Sequence, residues 1–154
     1  MSHTYTKIAI HALFATKRRQ PWLTSELRAA LFAYMTGIVK RIGAKPIIVG
    51  GYSDHVHLLV VLPTRLALAD LMEKLKANSS RWIHRRSPSL RGFAWQTGYA
   101  AFSVSQSNAE QVKSYIATQE QHHRTMTYRE EVAALLQKHG IEPDRRFEGW
   151  LCRP

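Results

Sequence analysis

The sequence predicts an α+β fold in which an antiparallel four-stranded sheet carries helices on one face and is followed by C-terminal helices. Strand-like and helix-like segments follow one another in the order β-α-β-β-α-β, and two more helical segments come after them. A chain of 154 residues has room for one domain with a proper core, and no repeat or linker divides it. We therefore expect a single domain over residues 1–154, with its core at about 5–123 and a helical extension at 127–154.

The first strand and the first helix have clear local signals. Ile8 and Ile10 alternate with less apolar neighbours in "YTKIAIHALFAT", residues 5–16, as in a strand with one buried face. A helix start signal at Thr24 and a stop signal at Gly43 enclose a segment with apolar residues at helical spacing. These signals predict a strand followed by one long helix.

Four further segments complete the predicted sheet and its helices. "AKPIIVGGYS" at 44–53 and "DHVHLLVVLP" at 54–63 predict two strands, and the short gap between them predicts a hairpin. Residues 66–86 have the pattern of an amphipathic helix with its basic residues outside. The segment "YAAFSVS" at 99–105 predicts the fourth strand.

Two capping boxes predict the helices after the sheet. "SNAE" at 107–110 opens a helix that we expect to run to about His123, and "TYRE" at 127–130 opens a last helix that ends at Gly140. The complete order is the ferredoxin-like, split βαβ plan, which RRM-type RNA-binding domains share. The fold by itself therefore leaves the function open.

The composition of the chain indicates what kind of molecule it binds and in which cellular compartment it works. Lys and Arg together number 22 against 11 acidic residues, which gives a formal net charge of +11. Such a balance favours a polyanionic partner, because phosphate neutralisation releases counterions, although a merely soluble basic protein is the alternative. The single Cys152 excludes an internal disulfide framework, and no segment has the length of a membrane span or the layout of a signal peptide. We expect a cytoplasmic protein with no membrane contact.

The basic residues cluster in two places. Lys17, Arg18 and Arg19 form one group after the first strand. Arg81 and Arg85 belong to a second group along the second predicted helix. We expect both groups to contact nucleic-acid phosphates, on the ground of this clustering alone.

The third predicted strand carries two imidazoles. Side chains alternate in a strand, so His55 and His57 point the same way about 7 Å apart at Cα, while Val56 points to the other face. Two imidazoles on one rigid element can hold a metal ion, although a half-exposed strand end is an equally ordinary explanation. Asp54 either accepts a hydrogen bond from His55 or is a turn residue before the strand.

The helix predicted at 107–123 has a polar edge. On a helical wheel Tyr115 and Gln119 lie one turn apart on the border of the apolar stripe, with His122 near them. Helix geometry alone favours a plain explanation, in which Tyr115 packs at the core edge and Gln119 is solvated.

Four blocks of the sequence, taken in order, resemble the single-tyrosine HUH transposases. These are insertion-sequence transposases that act on single-stranded DNA, and they are related to the REP-associated tyrosine transposases. The blocks are "GGYSDHVHLLV", "SSRWI", "FAWQTGYAAFSVS" and "YIATQEQHHR", and the resemblance covers most of residues 5–140. It implies a DNA transposase that cleaves and rejoins single-stranded DNA at the hairpin ends of a mobile element and that acts as a homodimer.

The resemblance also implies a role for each polar residue of these blocks. His55 and His57 bind a divalent metal, Mg²⁺ or Mn²⁺, Gln119 completes the site, and Tyr115 is the nucleophile. Attack of Tyr115 on phosphorus gives a 5′-phosphotyrosine and a free 3′-hydroxyl, so a later 3′-hydroxyl can reverse the step without water. Two neutral imidazoles and one amide oxygen leave the ion its full positive charge toward phosphate oxygens.

Two other hypotheses stay open on the sequence. One is a non-catalytic, RRM-like nucleic-acid-binding protein in which the histidines and the tyrosine are structural. The other is a metal hydrolase that uses the histidine pair without a covalent step. The sequence also leaves open whether the tyrosine serves the histidines of its own chain or those of the other subunit.

Overall fold

The computed structural model of the protein describes residues 3–144. The sheet and its helices are β1 Ile8–Ala15, α1 Ser25–Ile42, β2 Lys45–Gly51, β3 His55–Leu62, α2 Leu68–Arg86 and β4 Ala100–Val104. The helices after the sheet are α3 Ala109–Ala117, α4 Gln119–His122 and α5 Tyr128–Lys138. The predicted element order is confirmed, and the predicted extension beyond residue 144 lies outside the described residues. None of the helices in residues 3–144 has the length and apolar character of a membrane span.

The four strands form one antiparallel sheet with the order β2-β3-β1-β4. β3 therefore lies inside the sheet, between β2 and β1. In the β1–β3 ladder Leu13 pairs with His57 and Ala15 pairs with His55. Because directly paired residues point to the same face of a sheet, these four side chains share one face. The predicted fold class is confirmed.

α1 and α2 cover one face of the sheet and bury the main apolar core with it. β3 contributes Val56, Leu58 and Val60, all fully buried, which alternate with the histidines and so point away from them. The residues that meet them from the two helices are also buried: Leu31, Met35, Ile38, Leu71, Met72, Leu75 and Ile83. This layer makes β3 a rigid support for the side chains on its other face.

α3 and α5 cover the opposite face, on which the histidines lie. Tyr128 and Val132 of α5 pack with Leu13 and Phe102 in a second apolar cluster. α3 packs on β2 and β3 at the other side of this face. The helices appended after the sheet are therefore a second layer, and they bring their polar residues over the histidine pair.

The boundaries of α1 are as predicted. The hydroxyl of Thr24 accepts a hydrogen bond from the backbone N–H of Leu27 at 3.3 Å. Gly43 ends the helix in the left-handed conformation, with φ of 100°, which a residue without Cβ adopts at little cost.

The start of α3 differs from the prediction. The capping box of Ser107 and Glu110 is not formed, because Ser107 lies inside a 3-10 turn and Asn108 takes the N-cap position; the Ser107 hydroxyl pairs instead with that of Ser105 at 3.1 Å. A 3-10 turn, Gln106–Asn108, leads into the helix, which begins at Ala109.

The helix that we expected to reach His123 is interrupted at Thr118. The Thr118 backbone leaves the helical region, with φ of −108° and ψ of 25°, and its hydroxyl donates to the Ser114 carbonyl at 2.9 Å. Gln119 and His123 follow this break, and both side chains turn toward Glu131.

The start of α5 is as predicted. The hydroxyl of Thr127 accepts from the backbone N–H of Glu130 at 3.2 Å, and the carboxylate of Glu130 accepts from the backbone N–H of Thr127 at 2.7 Å. This capping box fixes the first turn of the helix, and the next residue, Glu131, points inward and is buried.

α3 rests directly on a glycine of β2. A Cβ added at Gly50 would lie 2.7 Å from the carbonyl oxygen of Ile116 and 2.8 Å from its Cγ2 atom. Gly50 pairs with His57, so this contact also fixes the height of α3 above the histidine strand. The side chain of α3 that lies one residue before Ile116 is Tyr115.

We expect Gly50→Ala to destabilise the protein by about 1–3 kcal/mol, because the new methyl group meets the α3 backbone. Gly37→Ala is the matched control, since nothing lies within 4 Å of a Cβ added there in α1. That change removes backbone freedom from a helix interior and should stabilise by about 0.5–1 kcal/mol. Urea unfolding of both variants measures the difference, and equal stability of Gly50→Ala and the parent chain would contradict the close packing of α3.

Candidate active site

The two histidines of β3 are held by partners at their Nδ1 atoms. Nδ1 of His55 lies 2.7 Å from Oδ1 of Asp54, and Nδ1 of His57 lies 2.7 Å from Nε2 of His11 on β1. Both imidazoles are fully buried. Each Nδ1 is therefore occupied, and the two Nε2 atoms are left for a shared centre. Of the two interpretations of Asp54, the structure supports the hydrogen-bond partner of His55.

Glu131 of α5 closes this centre. Its Oε1 atom lies 2.9 Å from Nε2 of His57, 3.5 Å from Nε2 of His55 and 3.3 Å from Nε2 of His123. Only 1% of the residue is exposed to solvent. A carboxylate in such a place is stabilised only when donors or a cation surround it, and here three imidazoles do so.

Gln119 and Tyr115 complete the cluster from the other helices. Oε1 of Gln119 lies 2.9 Å from Nε2 of His55, and its amide nitrogen donates to Oε2 of Glu131 at 3.0 Å. The Tyr115 hydroxyl donates a hydrogen bond to the same Oε2 atom. The predicted metal-binding and nucleophilic residues therefore converge within one chain, and Glu131 joins them.

His122 also lies where we expected it, beside the tyrosine. Its ring centroid is 4.7 Å from that of Tyr115, and its Nε2 atom is 3.0 Å from the Thr118 hydroxyl. The ring packs along the tyrosine without reaching the buried carboxylate.

Burial sets the charge states of the imidazoles. It lowers the pKa of His57, and it lowers the pKa of His11 to about 3, with the neighbouring His57 adding to the effect. Both rings are therefore neutral at physiological pH, the state in which imidazole binds metals. Burial also acts to lower the pKa of His123, but the hydrogen bond to Glu131, the charges of Glu131 and Asp54 and a backbone hydrogen bond together raise the pKa above its ordinary value.

The pKa values of the Glu131 carboxyl and the Tyr115 hydroxyl are shifted in opposite directions. Burial acts to raise the pKa of Glu131, but hydrogen bonds from His123 and His57 outweigh it and the net pKa is lowered. Glu131 is therefore a carboxylate. Burial, reinforced by the charge of Glu131, raises the pKa of Tyr115, so its hydroxyl keeps its proton in this arrangement.

These side chains fit a divalent metal ion. One ligand atom each from His55, His57 and Glu131 lie within 4.8 Å of one another. Mixed imidazole and carboxylate donors with an amide oxygen beside them are a donor set for Mg²⁺ or Mn²⁺, and the described residues bring no thiolate here. The ligands predicted from the sequence, His55, His57 and Gln119, do not include Glu131, whose carboxylate would reduce the net positive charge of a bound ion.

The sequence around Glu131 has two features, one typical of an exposed acidic residue and one typical of a buried one. In "YREEVAALL" the acidic pair resembles a solvated first helical turn, and Glu130 is indeed exposed. Tyr128, Val132 and Leu135, however, mark an apolar stripe at helical spacing, and Glu131 falls inside it. An acidic residue inside a buried stripe is the pattern that indicates a functional or paired carboxylate.

The predicted basic groups are placed on different layers. Arg18 and Arg19 lie in the 3-10 turn after β1 and line a cleft of about 700 Å³ that also reaches Asp54 and His123. Lys17 of the same turn lines a separate, smaller cavity. Arg81 and Arg85 are exposed on α2, in the layer on the other side of the sheet. The structure therefore does not bring either of them to the histidines.

We expect Glu131→Gln to lower the affinity for Mn²⁺ by at least about tenfold, because it removes the charged oxygen ligand and keeps the shape. Titration calorimetry on the metal-free protein measures this change. Glu110→Gln, at an exposed position of α3, is the matched control and should leave the affinity unchanged. An unchanged affinity in Glu131→Gln would mean that the ion, if bound, is held by the histidines and Gln119 alone.

Comparison with protein families gives a match over most of the chain. Residues 4–119 match the family described as "Transposase IS200 like". The ISDra2 transposase TnpA of Deinococcus radiodurans is 27% identical over 118 residues, which cover 73% of this chain and 84% of that protein. The transposase for insertion sequence element IS200 of Salmonella typhimurium is 25% identical over 125 residues, covering 77% and 81% of the two chains.

Two solved structures have the same fold. A crystal structure described as that of a transposase from Deinococcus radiodurans matches with a TM-score of 0.59 and 26% identity, over 77% of this chain and 96% of the other. A REP-associated tyrosine transposase bound to a REP hairpin matches with a TM-score of 0.60 over 80% of this chain and 73% of the other. Its identity is 13%, so this second likeness concerns the fold alone.

Proposed function

Because this chain belongs to the family of IS200-like transposases, we propose that it cleaves and rejoins single-stranded DNA at the ends of a mobile element through a tyrosine-linked intermediate. The observation that carries this proposal is the contact between the Tyr115 hydroxyl and Glu131, at the edge of a cluster able to hold a metal. A nucleophile, a carboxylate and neutral imidazoles within one buried site are the groups that phosphodiester transfer requires.

The proposed metal ligands are His55, His57 and Glu131, with Gln119 as a further oxygen donor beside them. A bound divalent ion supplies positive charge to the phosphate oxygens of the scissile bond. Asp54 and His11 hold the two histidine rings at Nδ1, so that no reorganisation of the rings is needed when substrate arrives.

The tyrosine keeps its proton until it attacks, because burial and the charge of Glu131 raise its pKa. Its proton passes to Oε2 of Glu131 as the tyrosine oxygen forms its bond to phosphorus, and the bond from phosphorus to the 3′ oxygen breaks. The 3′ oxygen takes up this proton from Glu131, whose lowered pKa returns it to the carboxylate form, and leaves as a hydroxyl, while the 5′ phosphate stays on Tyr115. The reverse attack by another 3′-hydroxyl restores the tyrosine and joins two strands.

The arrangement within one chain supports catalysis in cis. Tyr115 and Gln119 lie on the helices that cover the histidines of the same chain, and the hydrogen bonds to Glu131 run within that chain. We further propose a homodimer, because excision requires cuts at both ends of an element and each chain supplies one such tyrosine. We keep the cytoplasm as the proposed location.

The cleft beside the site supports a path for the DNA strand. Arg18, Arg19 and Arg124 line it together with Asp54 and His123. Arginine side chains in a cleft of this kind place positive charge where the phosphates of a DNA strand can bind. We propose that this cleft holds the strand next to the scissile phosphate.

The arginines of α2 belong to a different surface. We keep Arg81 and Arg85 as proposed phosphate contacts outside the cleft.

A covalent-adduct experiment tests the function. A labelled hairpin with a single-stranded flank is incubated with the protein and Mn²⁺, and a denaturing gel reports protein–DNA adducts. Tyr115→Phe should abolish the adduct, a loss of more than about 10³-fold in cleavage, and keep DNA binding. Tyr34→Phe is the matched control, since Tyr34 stacks on Trp82 in the α1–α2 layer.

Each of the remaining hypotheses has its own outcome in that experiment. Cleavage that survives Tyr115→Phe would identify a metal hydrolase, in which Glu131 activates water. Binding of the hairpin without cleavage under any divalent metal would identify the non-catalytic nucleic-acid-binding protein, which the family match disfavours.

A further inference from the structure

A second cavity reaches the tyrosine from the side of β4. It has a volume of about 380 Å³ and lies between α3, α5 and the edge strand. Tyr115 and Glu131 both line it, so it opens onto the hydroxyl that the proposed reaction uses. Its volume lies in the range of about 300–1,000 Å³ that small-molecule sites occupy.

We propose that this cavity receives one unpaired nucleobase, that of the nucleotide adjoining the scissile phosphate. The inference rests on the proposed function, because it places the phosphate at Tyr115. A nucleotide whose phosphate lies at that hydroxyl has its base close by, and the cavity is the space that the described residues leave open beside the tyrosine ring on this side. Unpaired bases of single strands are recognised by stacking on aromatic side chains and by hydrogen bonds to their edges.

The cavity contains an aromatic surface suited to stacking. His139 lines it at the end of α5 and is exposed. Its ring is stacked on Phe102, with centroids 4.4 Å apart and an interplanar angle of 15°, and Phe102 itself is buried. The imidazole is therefore held in a fixed plane, and unpaired bases stack on aromatic side chains of this kind.

The rim of the cavity carries two amides that can read a base edge. Asn108, the residue just before α3, and Gln111, in the first turn of α3, both line the cavity. Neither side chain makes a hydrogen bond to another of the described residues. Each amide presents a donor and an acceptor side by side. Adenine, with its adjacent N6 donor and N7 acceptor, is the base that an amide matches best.

The apolar residues and the lysine that line the cavity also suit a nucleotide. Val112 and Leu135 provide apolar surface for the flat faces of a base, and Lys138 provides a cation for a phosphate of the same strand. The chemistry is thus that of a nucleotide subsite, which combines stacking, edge recognition and charge.

The first test is cleavage of a mixed substrate. A DNA hairpin whose single-stranded flank is randomised is cut by the full-length protein with Mn²⁺, and the products are sequenced. We expect a base preference, adenine first, at one position next to the cut. The double variant Asn108→Ala/Gln111→Ala should flatten that preference at least about fivefold and leave the other positions unchanged. Gln137→Ala, an exposed amide of α5 outside the cavity, is the control.

The second test measures binding without chemistry. In the Tyr115→Phe background, 2-aminopurine is placed at successive flank positions, and its fluorescence is quenched where the base stacks. We expect quenching at one position and its loss, with about tenfold weaker binding of that flank, when His139→Ala is added.

The two tests separate failure of this inference from failure of the proposed function. Cleavage with a preference that the double variant leaves intact, or quenching that His139→Ala leaves intact, overturns the base subsite while the transposase chemistry stands. Absence of cleavage together with quenching that depends on His139 overturns the proposed chemistry and supports the base subsite. Absence of quenching at every position overturns the base subsite.

Discussion

The buried carboxylate of Glu131 is the constraint on which the rest of the site depends. It accepts hydrogen bonds from Tyr115 and Gln119 and lies within 3.5 Å of three imidazole nitrogens, those of His55, His57 and His123. An unpaired carboxylate at this depth would be strongly destabilising, so the groups around it are held together by its charge. One side chain thereby docks α5 over the sheet and positions the proposed nucleophile against the proposed metal ligands.

One face of β3 packs in the main apolar core, and the other face carries the histidines of the candidate active site. Val56, Leu58 and Val60 bury the apolar face under α1 and α2, which form the larger core. The opposite face can then carry buried imidazoles, because the strand is already fixed by that core and by ladders on both sides. α5 adds its own apolar anchor on this face through Tyr128 and Val132. Stability thus comes mainly from one layer, and the other layer is free to hold polar groups in a fixed geometry.

What the sequence predicts well is what local chemistry decides. Thr24, Gly43 and the Thr127 capping box place helix ends correctly, because each signal is satisfied within a few residues. The capping box predicted at Ser107 does not form because a 3-10 turn moves the start of the helix to Ala109 and leaves Ser107 before the N-cap position. The local pattern does not identify Glu131, because the position of this side chain depends on how α5 folds back over the sheet. A contact between residues far apart in the chain is only weakly reflected in the local sequence, here as one acidic residue inside the apolar stripe of α5.

The proposal that Glu131 and the two histidines of one chain bind a metal ion is tested most directly by diffraction from crystals of the protein soaked with Mn²⁺. Anomalous scattering then locates the ion. We expect one ion bound by Nε2 of His55, Nε2 of His57 and a carboxylate oxygen of Glu131, all from a single chain, with the Tyr115 hydroxyl beside it. An ion bound away from Glu131, or one held by histidines of one chain next to the tyrosine helix of another, would contradict this arrangement.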